Sequence, residues 1–477
     1  MIKMLNNQLC WVWLLLIATA TLPSCSSEDE FRQSDIVSPS PHKAKVWTVK
    51  IDAGKTNNGI TRGVFSDDEG ATLKTKWLGT ETFTVYYNDA VVGTVTAAAS
   101  ESPNTILTGE LDDADYTEGG EFKLSPIGGN YLEQDGTLEN LSEKDYLEQT
   151  TVSISKIFAG NELITTSAHF TRKQSFFKFT FNQNVTSVTI FATGLANGPL
   201  TITPESATNT IYAALSNTSE ESQIYSFSAE VGGETYTCPN AKTIDIGKGN
   251  YYAANISLSA PPAGLNLATL KTWFTNTWPH EGSLKTPYLN YYVNSSGALS
   301  KSSSGAIGVV AYLGKSDVET GVNGTQNIIV IATSDASTGC SWGPYYQMES
   351  DVPNIWSYET WNGYASTQKL YQKSTTNYPA AKYAWEYQNK KGSAVVSGSS
   401  GWFLPSVAQA RAITSRGAGR SCLPTAYAYW CCTEYPNETS ESRQWWAATI
   451  YAGTGATVDT NTHKNSMGPH VRAVFVY

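Results

Sequence analysis

The feature that most constrains this chain is a series of short segments in which apolar and polar residues alternate with a period of two. Residues 46–51 and 82–87 have this pattern, and a later series includes Phe177, Phe179 and Phe181. Such alternation predicts half-buried β-strands. Many short strands between turns rich in glycine, asparagine and aspartate predict β-sandwiches in the first half of the chain.

The second half has a different pattern, which predicts an α+β domain. Residues 306–313 and 327–332 are apolar runs of strand length, and their β-branched residues favour strands. Residues 379–388 predict a short helix with proline in its first turn. Residues 471–476 predict a further strand, and residues 260–264 (APPAG) separate this half from the sandwiches.

The strongest local signal lies in residues 401–435. Ser406 and Gln409 fit the S-x-x-Q capping box, in which each side chain satisfies a backbone N–H of the other at a helix start. We expect a helix with Val407, Ala410 and Ile413 on one face.

The beginning of the chain predicts export. Lys3 precedes an apolar run, residues 9–20, that is too short to span a bilayer and therefore indicates a signal peptide over residues 1–24. Cys25 follows small residues and resembles a lipobox cysteine, which would be lipidated. The alternative is an ordinary signal peptide. Residues 26–30 (SSEDE) resemble the export signal of Bacteroidota surface lipoproteins, and residues 25–45 would form a lipidated tether.

The bulk composition limits the partners. A length of 477 residues suits about three domains. The formal net charge of −10 argues against nucleic acid as a partner, because a phosphate backbone requires a basic surface.

Four short motifs occur in order through the first half of the chain: residues 61–63 (TRG), 77–79 (WLG), 211–215 (IYAAL) and 247–252 (GKGNYY). With these motifs, residues 46–259 resemble the fimbrillin family of Bacteroidales-type pilus lipoproteins. The resemblance implies two transthyretin-like β-sandwiches, over residues 46–166 and 167–259.

The fimbrillin resemblance also implies how the chain would assemble. Family members are exported as lipoproteins, and many are cut after an arginine to open a groove for a strand donated by another pilus subunit. Arg32 or Arg62 would be such a processing site. The alternative is that both are ordinary surface charges.

The second half of the chain contains an ordered set of motifs, which includes residues 361–363 (WNG), 401–406 (GWFLPS), Thr433-Glu434 and 471–474 (VRAV). With these motifs, residues 288–477 resemble the Fibrobacter succinogenes major paralogous domain, which is similar to the C-type-lectin-like and formylglycine-generating fold group. The resemblance implies a C-type-lectin-like head after a linker over residues 260–287.

Tryptophans are the candidate ligand-binding residues of this head. Trp402 and Trp430 lie in framework motifs and are expected in the core. Loop and surface tryptophans can stack on a sugar or anchor a protein interface. The candidates are Trp342, Trp356, Trp361 and Trp446.

No cofactor is expected. Residues 434–438 (EYPNE) only partly match a calcium-binding lectin loop, and a second motif with oxygen ligands is missing. Bound calcium is therefore kept only as the alternative. Asp459, Asn461 and His463 alternate, but one histidine with two weak oxygen ligands indicates a solvated turn rather than a metal site.

The cysteines of the head leave two interpretations. Cys340, Cys422, Cys431 and Cys432 predict disulfides or buried thiols. The formylglycine-generating branch of the fold group uses a pair of active-site cysteines, which keeps an enzyme as a lesser alternative. Adjacent cysteines diverge, however, so we expect no enzyme.

Together these features predict an outer-membrane surface lipoprotein of fimbrillin type, with a pilus-tip adhesin as the leading hypothesis. Its head would bind a glycan or protein ligand. The alternative is a receptor or glycan-capture lipoprotein that works without a pilus.

We expect Cys25→Ser to abolish lipid attachment, because only the cysteine thiol at this position can take the diacylglycerol. Metabolic labelling with palmitate should mark the wild-type protein and not the variant, with Cys10→Ser as the matched control. Label retained by Cys25→Ser would contradict the lipobox assignment.

Overall fold

A computed structural model describes residues 46–56, 77–127, 132–144, 146–216, 223–244, 250–280, 285–314, 328–387, 395–416, 423, 426–435, 439, 441–451 and 458–477. The predicted lipidation site Cys25, the predicted processing sites Arg32 and Arg62, and Cys422 lie outside these residues. Strands dominate the described part, and helices are few. None of the described helices is long and apolar enough to cross a membrane.

The first eight strands pair into one continuous sheet. They are β1 (Trp47–Thr56), β2 (Thr82–Tyr87), β3 (Ala90–Ala97), β4 (Asn104–Leu111), β5 (Glu121–Pro126), β6 (Thr150–Phe158), β7 (Glu162–Thr165) and β8 (Ala168–Thr171). The order is β4-β3-β2-β5-β6-β7-β1-β8, and an additional β1–β4 pairing closes seven of them into a ring. The first sandwich predicted from the sequence is therefore a closed ring, which leaves β1 with neighbours on both edges.

Strand β1 holds this ring together. It runs antiparallel to β4 from Trp47↔Leu111 to Gly54↔Asn104. Its other edge runs parallel to β7 and then to β8. Val49 and Ile51 point into the core, as the alternation predicts. Since β8 pairs with β1, the first unit extends beyond the predicted boundary at residue 166.

The next seven strands form two facing sheets. They are β9 (Gln174–Val185), β10 (Ser187–Phe191), β11 (Leu200–Ile202), β12 (Thr208–Ser216), β13 (Gln223–Val231), β14 (Glu234–Ile244) and β15 (Tyr251–Ile256). One sheet has the order β11-β10-β13-β14 and the other β12-β9-β15. Phe177, Phe179 and Phe181 of β9 share a core with Tyr225 and Phe227 of β13. Strands β9 to β15 thus form two sheets around a shared core.

A short helix, α1 (Leu138–Glu143), covers the outer face of β9 and β12. Leu141 packs against Phe176 and Ala214 there. The Gln134 side chain donates to the carbonyl of Ala214 and accepts from its N–H, both at 2.8 Å. This contact explains why β9 is buried on both faces, and it ties a segment that precedes β6 to the second sandwich.

Helix α2 (Leu267–Thr277) follows the proline-rich boundary, inside the predicted linker. Asn266 and Thr269 form a reciprocal capping box at its start. Its buried face continues into Trp278, whose ring contacts Phe191 of β10 edge-on at 4.9 Å. The same core cluster then runs into the head, so α2 and Trp278 join the second sandwich to the head.

The head is an α+β unit. Its strands are β16 (Tyr292–Asn294), β17 (Leu299–Ser300), β18 (Ala306–Leu313), β19 (Ile328–Ala332), β20 (Ala428–Glu434), β21 (Trp446–Tyr451), β22 (Val458–His463) and β23 (Val474–Val476). Its helices are α3 (Gly363–Lys373), α4 (Pro379–Trp385) and α5 (Val407–Arg416). A sheet with the order β17-β16-β18-β19-β23 and a smaller sheet, β20-β21-β22, form the framework.

Both faces of β18, β19 and β23 in the five-stranded sheet are buried. Val310 and Val330 face one core cluster, and Val309 and Ile331 face the other. This two-sided burial explains why these strands are continuous apolar runs instead of alternating ones.

The capping box at the start of α5 is confirmed. The Ser406 N–H donates to Gln409 Oε1 at 2.9 Å, and the Gln409 N–H donates to Ser406 Oγ at 3.3 Å. A Cβ on Gly363 would lie 2.2 Å from Gln409 Oε1, so only glycine lets α3 begin this close to the capping box. Sequence reasoning missed α3, and it assigned a turn to the Asp459–His463 stretch that is strand β22.

We expect Trp278→Ala to lower the free energy of unfolding by about 3–5 kcal/mol, because it empties a fully buried site between the second sandwich and the head. Chemical denaturation followed by fluorescence would measure the change. The control Ile224→Ala removes a half-exposed side chain and should cost less than about 0.5 kcal/mol. Equal effects of the two substitutions would contradict this role for Trp278.

Candidate functional site

A buried carboxylate, Glu434 at the end of β20, organises one end of the head. Its Oε2 accepts from Arg443 Nε at 3.0 Å and Nη2 at 2.8 Å. Its Oε1 accepts from Lys464 Nζ at 2.6 Å and from the N–H of Glu349 at 2.9 Å. Four donors therefore satisfy a fully buried charge, which is the condition for stability of such a group.

Glu349 extends this network. It accepts from Lys373 Nζ at 2.6 Å and from the Tyr378 hydroxyl. Burial, followed by the bond to Glu349, raises the pKa of Tyr378 well above its usual range. Lys373 also contacts Asp351 at 2.9 Å, so three carboxylates and three cations balance. Among the described residues the network is formally neutral, and both buried carboxylates are fully paired, which suits a framework role.

The same network fixes the loop that contains Trp342. The ammonium of Lys464 lies 4.9 Å from the Trp342 ring centre and donates to the carbonyl of Gln347 at 2.5 Å. The Trp342 indole N–H donates to the carbonyl of Cys431 at 2.8 Å. Trp342 is 1% exposed, so it cannot stack on a ligand, and its prediction as a binding residue is wrong.

The other tryptophan candidates separate into two groups. Trp356 and Trp361 are half-buried and pack against the head cores, and the Trp361 ring lies 5.5 Å from that of Tyr312. Trp446 is also half-buried and lies on β21, paired in register with His463 of β22. Trp402 and Trp430 are core residues, as predicted.

Trp446 belongs to a surface cluster that we call the aromatic patch: Tyr345, Tyr346, Trp445, Trp446 and His463. The ring centres of Trp446 and His463 are 4.0 Å apart, and Tyr345 lies 5.5 Å from His463. Tyr345 and Tyr346 are 4.2 Å apart, and Tyr346 lies 6.4 Å from Trp445. The patch thus joins a loop to the edge of the small sheet.

Tyr346 is the most prominent member of the aromatic patch. It is 69% exposed, and its φ of +68° lies in the left-handed region. A non-glycine residue there costs on the order of 1 kcal/mol and is found preferentially at functional sites. Sequence reasoning missed Tyr345 and Tyr346 because it ranked only tryptophans. The sequence 343–346 (GPYY) carried the signal of two adjacent aromatics in a turn.

The adjacent cysteines of β20 are neither disulfide-bonded nor exposed. Cys431 and Cys432 carry free, fully buried thiols, so the disulfide prediction is wrong for both. They are adjacent on β20, and their side chains enter different cores because successive residues of a strand face opposite ways. Burial raises the pKa of Cys432 to about 12 and that of Cys431 further, so neither is a thiolate near neutral pH. Cys340 is buried as well.

The described residues contain no group of three or more His, Cys, Asp or Glu placed to hold a metal ion. Glu434, the acidic residue of the lectin-like loop sequence, uses both oxygens for Arg443, Lys464 and the Glu349 N–H. Thr433 beside it accepts from the Val407 N–H at 3.0 Å. The Thr-Glu motif therefore serves the framework here.

Comparison with known proteins gives a limited result. No family model matches the sequence, and no curated protein matches it. Among solved structures, a fimbrial protein from Bacteroides ovatus is similar over 91% of this chain and 100% of its own, with 10% identity and a TM-score of 0.31. The tip fimbrial protein Mfa3 from Porphyromonas gingivalis, with C-terminal truncation, is similar over 46% of this chain and 96% of its own, with 11% identity and a TM-score of 0.23. At these scores the similarities carry no argument about family or function.

We expect Glu434→Gln to destabilise the head by about 3–5 kcal/mol, because Arg443 and Lys464 would remain buried opposite a neutral amide. Differential scanning calorimetry would show the loss. Glu359→Gln is the matched control, since its carboxylate is largely exposed and contacts Arg411 only at 3.7 Å. A Glu434→Gln variant as stable as the control would refute the framework role.

Proposed function

We propose that this chain is a lipid-anchored outer-membrane surface protein of fimbrillin type, and that its head is the ligand-binding domain of a pilus-tip adhesin. The observation that carries the proposal is the use of β23. A shaft subunit must offer a strand to its neighbour, whereas β23 is fully engaged inside the head.

Both edges of β23 are occupied. One edge pairs with β19 from Ile329↔Val476 to Ile331↔Val474. On the other edge, the N–H groups of Phe403 and Val474 donate to each other's carbonyls at 2.8 and 2.9 Å, and the Ser400 N–H donates to the carbonyl of Val476. Releasing β23 would expose Phe475, which is buried in the core. The described head therefore does not leave β23 free to be donated to another subunit.

The first ring supports a role as strand acceptor. Arg62 follows β1 in the sequence, so cleavage after it would separate β1 from the rest of the chain. Loss of β1 would expose the edges of β4, β7 and β8 together with the apolar slots that Val49 and Ile51 fill. A strand donated by another subunit would satisfy those backbone groups. Cleavage after Arg32 would leave β1 in place.

The aromatic patch is the surface through which the head would meet its ligand. Exposed tyrosine and tryptophan rings stack on sugar rings and anchor protein interfaces at low entropic cost. The alternative formylglycine-generating activity loses support, because both adjacent thiols are fully buried and burial raises the pKa of each.

The test is the position and binding activity of the protein on intact pili. Immunogold against residues 288–477 should mark pilus ends, and sheared pili should adhere to the target surface through the head. In the Tyr346→Ala/Trp446→Ala variant we expect adhesion to fall at least about tenfold, since aromatic anchors dominate such interfaces. Labelling at the ends should remain.

Tyr427→Ala is the control for an exposed tyrosine of the head outside the aromatic patch. Gold spread along the shaft would refute the tip assignment. Protein that stays on the cell after shearing would favour a receptor that works without a pilus.

A further inference from the structure

The inward face of β1 ends in a charged residue. Its preceding inward side chains belong to the apolar core of the first ring: Trp47, Val49, Ile51 and Ala53. Lys55 is the next residue on the same face, and its side chain is only 1% exposed. An ammonium group beside an apolar core is stable only when its neighbours compensate the charge.

The ammonium of Lys55 lies against the segment that leads into β2. It is 3.5 Å from Glu81 Oε1 and 4.3 Å from the centre of the Trp77 ring. The carboxylate attracts the ammonium by charge, and the electron-rich face of the indole attracts it by a cation–π interaction. We call Trp77 and Glu81 together the cation slot. Since the Glu81 side chain is 20% exposed and Trp77 is 1% exposed, the slot is largely shielded from water.

The cation slot is held in place by residues outside β1. The N–H groups of Leu78 and Gly79 donate to the two carboxylate oxygens of Glu81, both at 3.0 Å. The Trp77 indole N–H donates to the carbonyl of Pro103 at 2.9 Å. Removal of β1 would leave these bonds in place and take away the ammonium. The slot is therefore preorganised for a cation on whichever strand fills the place of β1.

We propose that the first ring accepts, in the place of β1, an extended segment of another subunit that carries a lysine or arginine at the position of Lys55. This inference rests on the proposed exchange of β1 and specifies the chemistry of the partner. Apolar residues fill the alternate positions before the cation, as they do in β1. A neutral residue at the last position would leave the Glu81 carboxylate facing an apolar core without its cation.

Lys50 provides a matched control in the same strand. It is exposed on the outward face of β1, whereas Lys55 is buried on the inward face. Exposed charges contribute little to stability or binding. Equal changes of charge at the two positions therefore separate a specific slot from a general attraction between a basic strand and an acidic protein.

Peptide competition in the mature chain tests the proposal. A site-specific protease sequence in place of residues 60–63 allows β1 to be cut off after folding. Gel filtration in denaturant removes the cut strand, and the chain is refolded with equimolar pairs of peptides that span residues 46–56. Native mass spectrometry then measures the fraction of each peptide that is bound.

We expect the wild-type peptide to bind and the Lys55→Gln peptide to bind at least about tenfold more weakly, as for loss of a charge-assisted hydrogen bond. The Lys50→Gln peptide should bind as well as the wild-type peptide. Lys55→Arg keeps the cation, so this peptide should bind more tightly than Lys55→Gln. Equal losses with Lys50→Gln and Lys55→Gln would show a nonspecific effect of charge and overturn the proposal.

A substitution in the ring tests the partner of the cation. With Glu81→Gln, the preference for the wild-type peptide over Lys55→Gln should shrink, because both substitutions act on one ion pair. An undiminished preference would refute the role of Glu81. The comparison of Lys50 with Lys55 uses only the wild-type ring, so it decides the cation requirement even if Glu81→Gln does not fold.

The outcomes distinguish this inference from the strand exchange on which it rests. If no peptide bound, the exchange of β1 and the cation requirement would both be refuted. If the wild-type and Lys55→Gln peptides bound equally well, the first ring would still accept a strand, and only the cation requirement would be refuted. The position of the protein on pili does not enter either result.

Discussion

The head depends on the pairing of one buried carboxylate, Glu434. Removing a carboxylate from water costs several kcal/mol, and the cost is offset only when every oxygen finds donors of good geometry. Arg443, Lys464 and the Glu349 N–H provide them, and they come from three separate segments. Because an incomplete set would leave a buried charge unpaired, the network selects one arrangement of these segments. The same arrangement places the loop of Tyr345 and Tyr346 beside β21 and β22, where their rings form the aromatic patch.

A second constraint acts at the junction between the second sandwich and the head. Trp278 and Phe191 bury an apolar contact there, while a short distance along the same sheet the outward side chains are serines and threonines. The apolar contact fixes the two units, and the hydroxyl face leaves a cleft between them. The residues at the outward positions of β10 and β13 therefore decide where this junction is closely packed and where it stays open.

Local patterns predicted most of the secondary structure. The capping box of Ser406 and Gln409 depends on a spacing of three residues, and the alternation of Phe177, Phe179 and Phe181 depends on the geometry of a single strand. Both features could therefore be predicted from the sequence. The candidate site was less predictable. The indole of Trp342 donates to a carbonyl 89 positions away, and no nearby residue indicates that this loop is covered.

The sequence alone indicated many of the strands, the capped helix α5 and core residues such as Trp402 and Trp430, but it missed α3 and β22. Only the tertiary structure decided that β1 closes a ring, that Cys431 and Cys432 enter different cores, and that tyrosines complete the aromatic patch around Trp446. The physical reason is the range of the interactions. Strand periodicity and helix capping act over a few residues, whereas ring closure, buried ion pairs and surface clusters depend on contacts between segments far apart in the chain.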